Sequence, residues 1–98
     1  MIQSFRDQGT RDVFDATRSK RAAKTCPPDL WTVARRKLDQ LNQADVLGDL
    51  RTPPRNRLEA LKRGRKGQHS IRINDQFRVC FRWTPAGPED VEIVDYHV

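Results

Sequence analysis

Apolar and polar residues alternate most regularly between His69 and Trp83, and this alternation predicts a β-hairpin. Ile71 and Ile73 alternate with polar residues in the first arm, and the apolar positions of the second arm are Phe77, Val79, Phe81 and Trp83. A period of two buries one face of a strand and leaves the other exposed. Asn74-Asp75 separates the two arms, and both residue types tolerate turn conformations. The hairpin is therefore predicted to be the centre of a small sheet.

The N-terminal half carries helical spacing instead. A short strand is predicted at residues 1–5, followed by a break at Gln8-Gly9 and a first helix capped by Thr10. Asp29 is the predicted N-cap of a second helix, whose apolar residues recur every three or four positions: Leu30, Val33, Ala34, Leu38, Leu41 and Ala44. Between them, the basic residues 18–24 lead into a proline pair and predict a loop or a frayed helix end. Two such helices can lie across one face of a sheet.

The segments that flank the hairpin are predicted as strands and turns. Asn56 and Glu59 have the spacing of a capping box, but Gly64 follows too soon for a helix, so a short irregular strand is favoured. Residues 62–67 form a basic turn. Residues 91–97 carry apolar residues at both parities, which is typical of a strand covered on both faces. With 98 residues, the chain is long enough for one domain, residues 1–98.

Positive charge is concentrated around the hairpin. Residues 57–83 contain eight basic and two acidic residues, a net charge of +6 that equals that of the whole chain. Three arginines, Arg72, Arg78 and Arg82, occupy the polar positions of the hairpin, where packing gives no reason for them. A row of guanidinium groups indicates an anionic partner, most commonly phosphate. This clustering favours nucleic-acid binding over a generally basic surface.

Other classes of protein are disfavoured by the composition. Two cysteines, Cys26 and Cys80, do not make a disulfide framework, and no zinc-ligand spacing is present. The N-terminus is too short and polar for a signal peptide, and no apolar run is long enough to cross a membrane. The sequence therefore predicts a reduced, cytosolic protein that does not contact membranes and needs no metal or cofactor.

Three segments resemble a known family. They are Asn56-Arg-Leu-Glu-Ala-Leu-Lys62, Gly67-Gln-His-Ser-Ile-Arg-Ile-Asn-Asp-Gln-Phe-Arg-Val-Cys-Phe81 and Val94-Asp-Tyr-His97. They closely resemble HigB-type toxins of bacterial toxin–antitoxin pairs, within the RelE/ParE-like superfamily. The resemblance is specific from about residue 50 to the end and extends, with less specific matches, over the whole chain. It implies an α+β fold of the order β-α-α-β-β-β-β, with both helices on one face of a mainly antiparallel, twisted sheet.

The resemblance also implies an activity and its partners. Such a toxin is an endoribonuclease that enters the ribosomal decoding site and cuts translated mRNA. A cognate helix-turn-helix antitoxin neutralises the toxin and, together with it, represses their operon, so that operator DNA is contacted only through the antitoxin.

The family's working residues fall on Lys62, Arg78, Asp95, Tyr96 and His97 of this chain. Some relatives have a histidine three positions before the lysine, where this chain has Glu59, so the general base remains open between Glu59 and His97. The other basic residues around the hairpin are predicted to bind RNA: Arg57, Arg63, Arg65, Lys66, Arg72 and Arg82.

The chemistry of RNA cleavage suits these residue types. The RNA supplies its own 2′-hydroxyl nucleophile, so a metal-free cut needs a base, a cation for the phosphoryl oxygens and an acid for the leaving 5′-oxygen. Arg78 and Lys62 are the predicted cations, and His97 is the group that exchanges protons near neutrality. Asp95 is predicted to orient a partner, and Tyr96 to stack on a base or bond the phosphate.

Simpler interpretations stand beside these roles. Glu59 is also in a position to form an ordinary ion pair with Arg57 or Arg78. Tyr96 is also a residue type that often only packs against its neighbours in a strand. In a regular strand Tyr96 and His97 face opposite sides, so both reach one phosphate only if the chain bends. His69 is predicted to be structural or RNA-adjacent.

Two other functions compete with cleavage. One is a non-catalytic protein that binds ribosomal RNA, and the other is a gyrase poison, since the ParE branch shares the scaffold. The Tyr-His terminus beside a basic sheet face favours cleavage.

Overall fold

Three helices precede a four-stranded sheet along the chain. The computed structural model describes residues 1–96, with helices α1 (Gln8–Phe14), α2 (Lys20–Thr25) and α3 (Trp31–Gln43) and strands β1 (Glu59–Ala60), β2 (His69–Arg72), β3 (Phe77–Thr84) and β4 (Gly87–Asp95). The strands pair antiparallel in the order β1-β2-β3-β4. The predicted α+β class is confirmed, and so are the hairpin and the short strand before it.

The helices cover one face of this sheet and enclose the core. Ile71, Val79 and Ile93 face each other across β2, β3 and β4, and all three are buried. Helix α3 contacts β3 and β4, and α1 contacts β4. The apolar residues that the helices bury include Val13, Ala34, Leu38 and Leu41. Burial of each large side chain contributes about 1.5–3 kcal/mol, so the apolar spacing of both regions is explained by packing.

The turn of the hairpin lies where the sequence predicts it. The Asn74 Oδ1 atom accepts hydrogen bonds from the backbone N–H groups of Gln76 at 2.9 Å and Phe77 at 2.7 Å. An asparagine side chain that binds the backbone in this way stabilises the chain reversal. The register of the hairpin follows from it, with Arg72 opposite Arg78.

The predicted N-terminal strand is reduced to one parallel bridge, between Phe5 and Val91. The Val91 N–H donates to the Ser4 carbonyl at 3.1 Å, and the Arg6 N–H donates to the Val91 carbonyl at 2.9 Å. Two residues further along β4, the Ile93 N–H donates to Oγ1 of Thr10 at 2.9 Å. The backbone hydrogen-bonding groups at the outer edge of β4 therefore bond partly to a side chain of α1. For this reason the predicted N-terminal strand pairs with β4 at one residue only.

The start of α1 differs from the prediction. Asp7 is the N-cap, since its Oδ1 accepts the Thr10 N–H at 2.7 Å, and Gly9 lies inside the helix. A Cβ atom at Gly9 would lie 1.9 Å from the Thr25 Oγ1 atom and 2.7 Å from the Arg21 carbonyl oxygen. Glycine is thus required here for the close approach of α1 and α2, not as a helix breaker.

Residues 18–28, left open between a loop and a frayed helix end, contain the complete short helix α2. Its N-cap is Ser19, whose Oγ accepts the Ala22 N–H at 3.0 Å and donates to the Asp12 carboxylate at 2.6 Å. Helix α3 begins at Trp31 after a 3₁₀ turn, Pro28–Leu30, so Asp29 is not its N-cap. Residues 1–96 therefore contain three α-helices where two were predicted.

Candidate functional site

The sheet has a second face that the helices do not cover. Partners in an antiparallel ladder project to the same side, so Arg78 shares a face with Arg72 on one neighbouring strand and Val94 on the other. Glu59, Ser70, Cys80 and Glu92 form the adjacent row. We call this side the open face. The arginines at the polar positions of the hairpin are thus separated from the core, as the alternation predicted.

The Arg78 guanidinium is held from three directions. Its Nε donates to the Ser70 Oγ at 2.8 Å, and its Nη2 donates to the Arg57 carbonyl oxygen at 2.7 Å. Its Nη1 lies 3.4 Å from the Glu59 carboxylate. The Arg78 side chain is only 12% exposed. Because a guanidinium has five N–H donors, these contacts fix its orientation and leave donors for a ligand.

Tyr96 closes the fourth side of this arrangement. Its ring centroid is 6.0 Å from the Arg78 Cζ, within the range of a cation–π interaction. The Tyr96 backbone N–H donates to the Gln76 carbonyl at 2.7 Å, which holds the chain beyond β4 against the hairpin turn. We call Arg57, Glu59, Ser70, Arg78 and Tyr96 the Arg78 cluster. The structure therefore brings three of the predicted catalytic residues together.

The Arg57 carbonyl is positioned from the helical layer. Arg57 has left-handed backbone angles, φ 46° and ψ 57°, and directly follows the buried Asn56. The Asn56 Nδ2 donates to the Gln40 Oε1 at 3.0 Å and the Leu50 carbonyl at 3.1 Å, and its Oδ1 accepts from the Lys37 Nζ at 2.6 Å. Asn56 is thus not part of a capping box. It ties the turn before β1 to α3.

The sequence did not predict the Ser70 hydroxyl or the Arg57 carbonyl as parts of the cluster. Ser70 has the same parity as Arg72 in β2, so the alternation could have placed its hydroxyl on the arginine face. The Arg57 carbonyl had no signal, because any residue type supplies that oxygen. Glu59 is joined to Arg78, as the ion-pair interpretation predicted, and this contact leaves a catalytic role untested.

Two further predicted catalytic residues, Asp95 and Lys62, do not join the cluster. Asp95 lies opposite Phe77 in the ladder, on the side of the core, and its carboxylate accepts from the Gln76 Nε2 at 3.1 Å. Lys62 is exposed at the start of the basic turn, and no hydrogen bond or ion pair joins its side chain to another residue of the described chain. His97 lies outside the described residues.

The predicted RNA-binding residues divide into paired and unpaired groups. Arg65 is neutralised by Glu92 at 2.7 Å, and Arg72 pairs with Asp75. Arg63 and Lys66 are exposed in the basic turn, and the Arg82 Nη1 lies over Gly67. Within residues 1–96, Arg63, Lys66 and Arg82 have no ion-pair partner. The unpaired charges of Arg63, Lys66 and Arg82 therefore lie in the basic turn or next to it.

Two other residues with reactive side chains are not members of the cluster. Cys80 lies on the open face opposite Ser70 but is fully buried, and burial raises the pKa of its thiol to about 11. A thiol with so high a pKa is not a nucleophile near neutrality. His69 lies opposite Phe81 on the side of the core, with the ring centroids 6.3 Å apart. Its position supports a structural role.

The described residues form neither a metal cluster nor a membrane-spanning helix. Residues 1–96 contain no group of three or more His, Cys, Asp or Glu side chains that could hold a metal ion. Over the same range, every helix is too short or too polar to span a membrane. What the cluster offers chemically is an oriented guanidinium with spare N–H groups next to a carboxylate and a phenol.

Comparison with known proteins gives the family. Residues 3–97 match the family described as the RelE-like toxin of the type II toxin–antitoxin system HigB. The chain is 35% identical to "Toxin HigB-1" of Vibrio cholerae over 83 residues, which cover 85% of this chain and 84% of that protein. It is also 39% identical over 57 residues to an uncharacterized protein of Haemophilus influenzae, covering 58% of this chain and 56% of that protein. The chain therefore belongs to the HigB-like toxins of type II toxin–antitoxin systems, a membership that implies an antitoxin partner.

Proposed function

We propose that this toxin is a ribosome-dependent endoribonuclease that inhibits growth by cutting translated mRNA. The observation that carries the proposal is the Arg78 cluster, in which a guanidinium is fixed from three sides on the open face of the sheet. Its remaining N–H donors suit two oxygens of one phosphate, since a guanidinium group can bind phosphate in a bidentate manner. A cation oriented before the substrate arrives stabilises developing charge without reorganisation.

The proposed reaction uses the RNA's own nucleophile. A base takes the proton of the 2′-hydroxyl, the 2′-oxygen forms a bond to phosphorus, and the bond from phosphorus to the 5′-oxygen breaks. The 5′-oxygen leaves with a proton from the acid, so the products are a 2′,3′-cyclic phosphate and a 5′-hydroxyl. Arg78 and Lys62 offset the charge of the phosphoryl oxygens in this scheme. Ribosomal positioning of the strand supplies a further part of the rate.

The proton transfers are assigned to Glu59 and His97. Glu59 is the proposed base because its carboxylate lies 3.4 Å from the cation that would hold the phosphate. His97 is the proposed acid, an assignment that rests on its residue type and its position next to Tyr96 in the sequence. Tyr96 is proposed to stack on a base or bond the phosphate, and Asp95 to orient a neighbouring group. Exposed basic residues of the turn, Arg63 and Lys66 among them, would contact RNA phosphates.

The proposed partners follow from this activity. The substrate is mRNA on the ribosome, and ribosomal RNA is contacted by the basic surface. The antitoxin is proposed to be a helix-turn-helix protein that neutralises the toxin, with operator DNA reached only through the antitoxin.

The deciding experiment maps RNA 5′ ends after a short pulse of toxin expression. Wild-type toxin should give new 5′ ends inside translated reading frames. Arg78→Ala and His97→Ala should abolish both these ends and growth inhibition, while antitoxin binding persists. Arg11→Ala is the matched control, because it removes the same charge from an exposed position of α1.

Each alternative function predicts a different outcome. A gyrase poison would leave transcripts intact and cause DNA breaks to accumulate. A non-catalytic ribosome binder would inhibit translation without new 5′ ends. A doubly substituted Arg78→Ala/His97→Ala toxin that still cut mRNA would show that the site has been wrongly assigned.

A further inference from the structure

A second basic site lies outside the Arg78 cluster, at the tip of the hairpin. A cavity of about 400 Å³ opens between α3, the segment around Pro53 and the end of β2. This volume is within the range of roughly 300–1,000 Å³ that is typical of ligand pockets. Four of its lining residues are basic, namely Arg36, Lys37, Arg55 and Arg72, and among the described residues that line it none is Asp or Glu. We call it the hairpin-tip pocket.

The charges of this pocket are largely uncompensated. Arg72 pairs with Asp75, whose side chain is 98% exposed. Arg36 and Arg55 are exposed, and neither forms an ion pair with any residue between 1 and 96. Four cations thus meet one solvent-exposed carboxylate.

Lys37 makes the arrangement costly unless an anion is present. Its side chain is buried, and its Nζ donates to the Asn56 Oδ1 at 2.6 Å, a neutral acceptor. Burial, followed by the charges of Arg36 and Arg72, lowers the pKa of the Lys37 ammonium. Because Arg36, Lys37 and Arg72 line the same cavity, their positive charges disfavour one another. A bound anion would offset this repulsion and favour the charged form of Lys37.

We propose that the hairpin-tip pocket binds a phosphate group, and that in the cell this group belongs to the RNA strand. Two exposed guanidinium groups around a buried ammonium suit a tetrahedral anion with several acceptor oxygens better than a single carboxylate. Arg72 lines the pocket while its Cα lies opposite that of Arg78, so the pocket borders the open face. A strand with one phosphate at Arg78 would then have another held at the hairpin tip. The choice of RNA rests on the proposed function, whereas the anion chemistry of the pocket does not.

The test is a titration of the purified toxin followed by amide chemical shifts. One arm uses inorganic phosphate, and the other uses a short 2′-O-methyl oligonucleotide, which lacks the nucleophile and cannot be cut. Both ligands should shift the amides around Arg36, Arg55 and Asn74 in a saturable way. The double substitution Arg36→Gln/Arg55→Gln should weaken both affinities by about tenfold or more, because it removes two charged donors.

A matched control variant has the same net charge as the Arg36→Gln/Arg55→Gln variant. Lys20→Gln/Arg51→Gln also removes two exposed positive charges, and neither residue lines the pocket. The control should bind both ligands as the wild type does. Equal weakening in both double variants, or shifts that do not saturate at these amides, would overturn the phosphate site. Saturation by inorganic phosphate without any effect of the oligonucleotide would overturn RNA as the source.

Failure of this inference is separable from failure of the proposed function. Neither ligand is cleaved, so the titration does not depend on catalysis. If inorganic phosphate caused no saturable change in the amide chemical shifts of a toxin that still cuts mRNA, only the phosphate site would be refuted. If phosphate caused these saturable shift changes in a toxin that cuts no mRNA, only the proposed nuclease activity would be refuted.

Discussion

The carbonyl oxygen of Arg57 accepts a hydrogen bond from the Nη2 of Arg78 at 2.7 Å, across 21 positions of sequence. The oxygen points to Arg78 because Arg57 adopts a left-handed backbone after the buried Asn56. An interaction made by the backbone of one arginine therefore orients the side chain of another. Left-handed backbone at a non-glycine residue is strained, and such strain is often found at functional sites.

The first prediction distinguishes the role of the Arg57 backbone from the role of its side chain. Arg57→Gly should be more stable than Arg57→Ala by about 1 kcal/mol, because only glycine adopts φ 46° without strain. Urea denaturation of both variants measures this difference. Both variants should still inhibit growth, since each keeps the carbonyl that holds Arg78.

The opposite result would be informative about RNA binding. If both variants lost toxicity while keeping their fold and their affinity for the antitoxin, the Arg57 side chain itself would be required, and a purely backbone role would be excluded.

The second prediction concerns Glu59. Glu59→Gln keeps an oxygen that can accept from Arg78 but cannot take a proton near neutrality. Cleavage on translating ribosomes should fall by about a hundredfold or more, the usual contribution of a positioned base. Single-turnover cleavage rates measure this, with antitoxin binding as the check on folding. A variant with nearly full activity would reduce Glu59 to an ion-pair partner of Arg78 and leave the base to another residue.

The third prediction concerns the stability of the link from α3 to the site. Asn56→Ala should cost about 2–4 kcal/mol of unfolding free energy, because the Lys37 ammonium and the Leu50 carbonyl would lose a buried partner. Denaturant titration is the measurement. Gln43→Ala, at an exposed position of α3, serves as the control and should change stability by less than about 0.5 kcal/mol. Equal effects of the two substitutions would contradict the structural role of Asn56.

The fourth prediction concerns acid stability. Hydrogen bonds from Ser19, and then from Gln8, lower the pKa of the Asp12 carboxyl below its ordinary value of 3.8. A carboxyl with a lower pKa in the folded state stabilises the protein above the unfolded pKa, and this contribution is lost as the pH falls through the folded pKa. Asp12→Asn should therefore be less stable than the wild type at about pH 6, and the difference should shrink as the pH falls below 3.8, the ordinary pKa of the carboxyl. A difference that stays constant with pH would show that the charge of Asp12 contributes nothing.

Short-range signals predicted most of the secondary structure correctly. The alternation from His69 to Trp83 gave the hairpin, and Asn74 marked its turn, because both depend on residues close in sequence. The helix boundaries were less predictable. Gly9 was interpreted as a break because its packing against Thr25 and Arg21 is visible only once α2 lies across α1.

The sequence by itself determined that one face of a small sheet is basic, because alternation fixes the parity of Arg72, Arg78 and Arg82 along the strands. Only the tertiary structure decided which of these arginines is held for a ligand. Arg78 is selected by Ser70 across the ladder and by the Arg57 carbonyl from a distant turn, and no local pattern encodes either contact. The pocket lined by Arg36, Arg55 and Arg72 likewise exists only because α3 packs beside the hairpin tip.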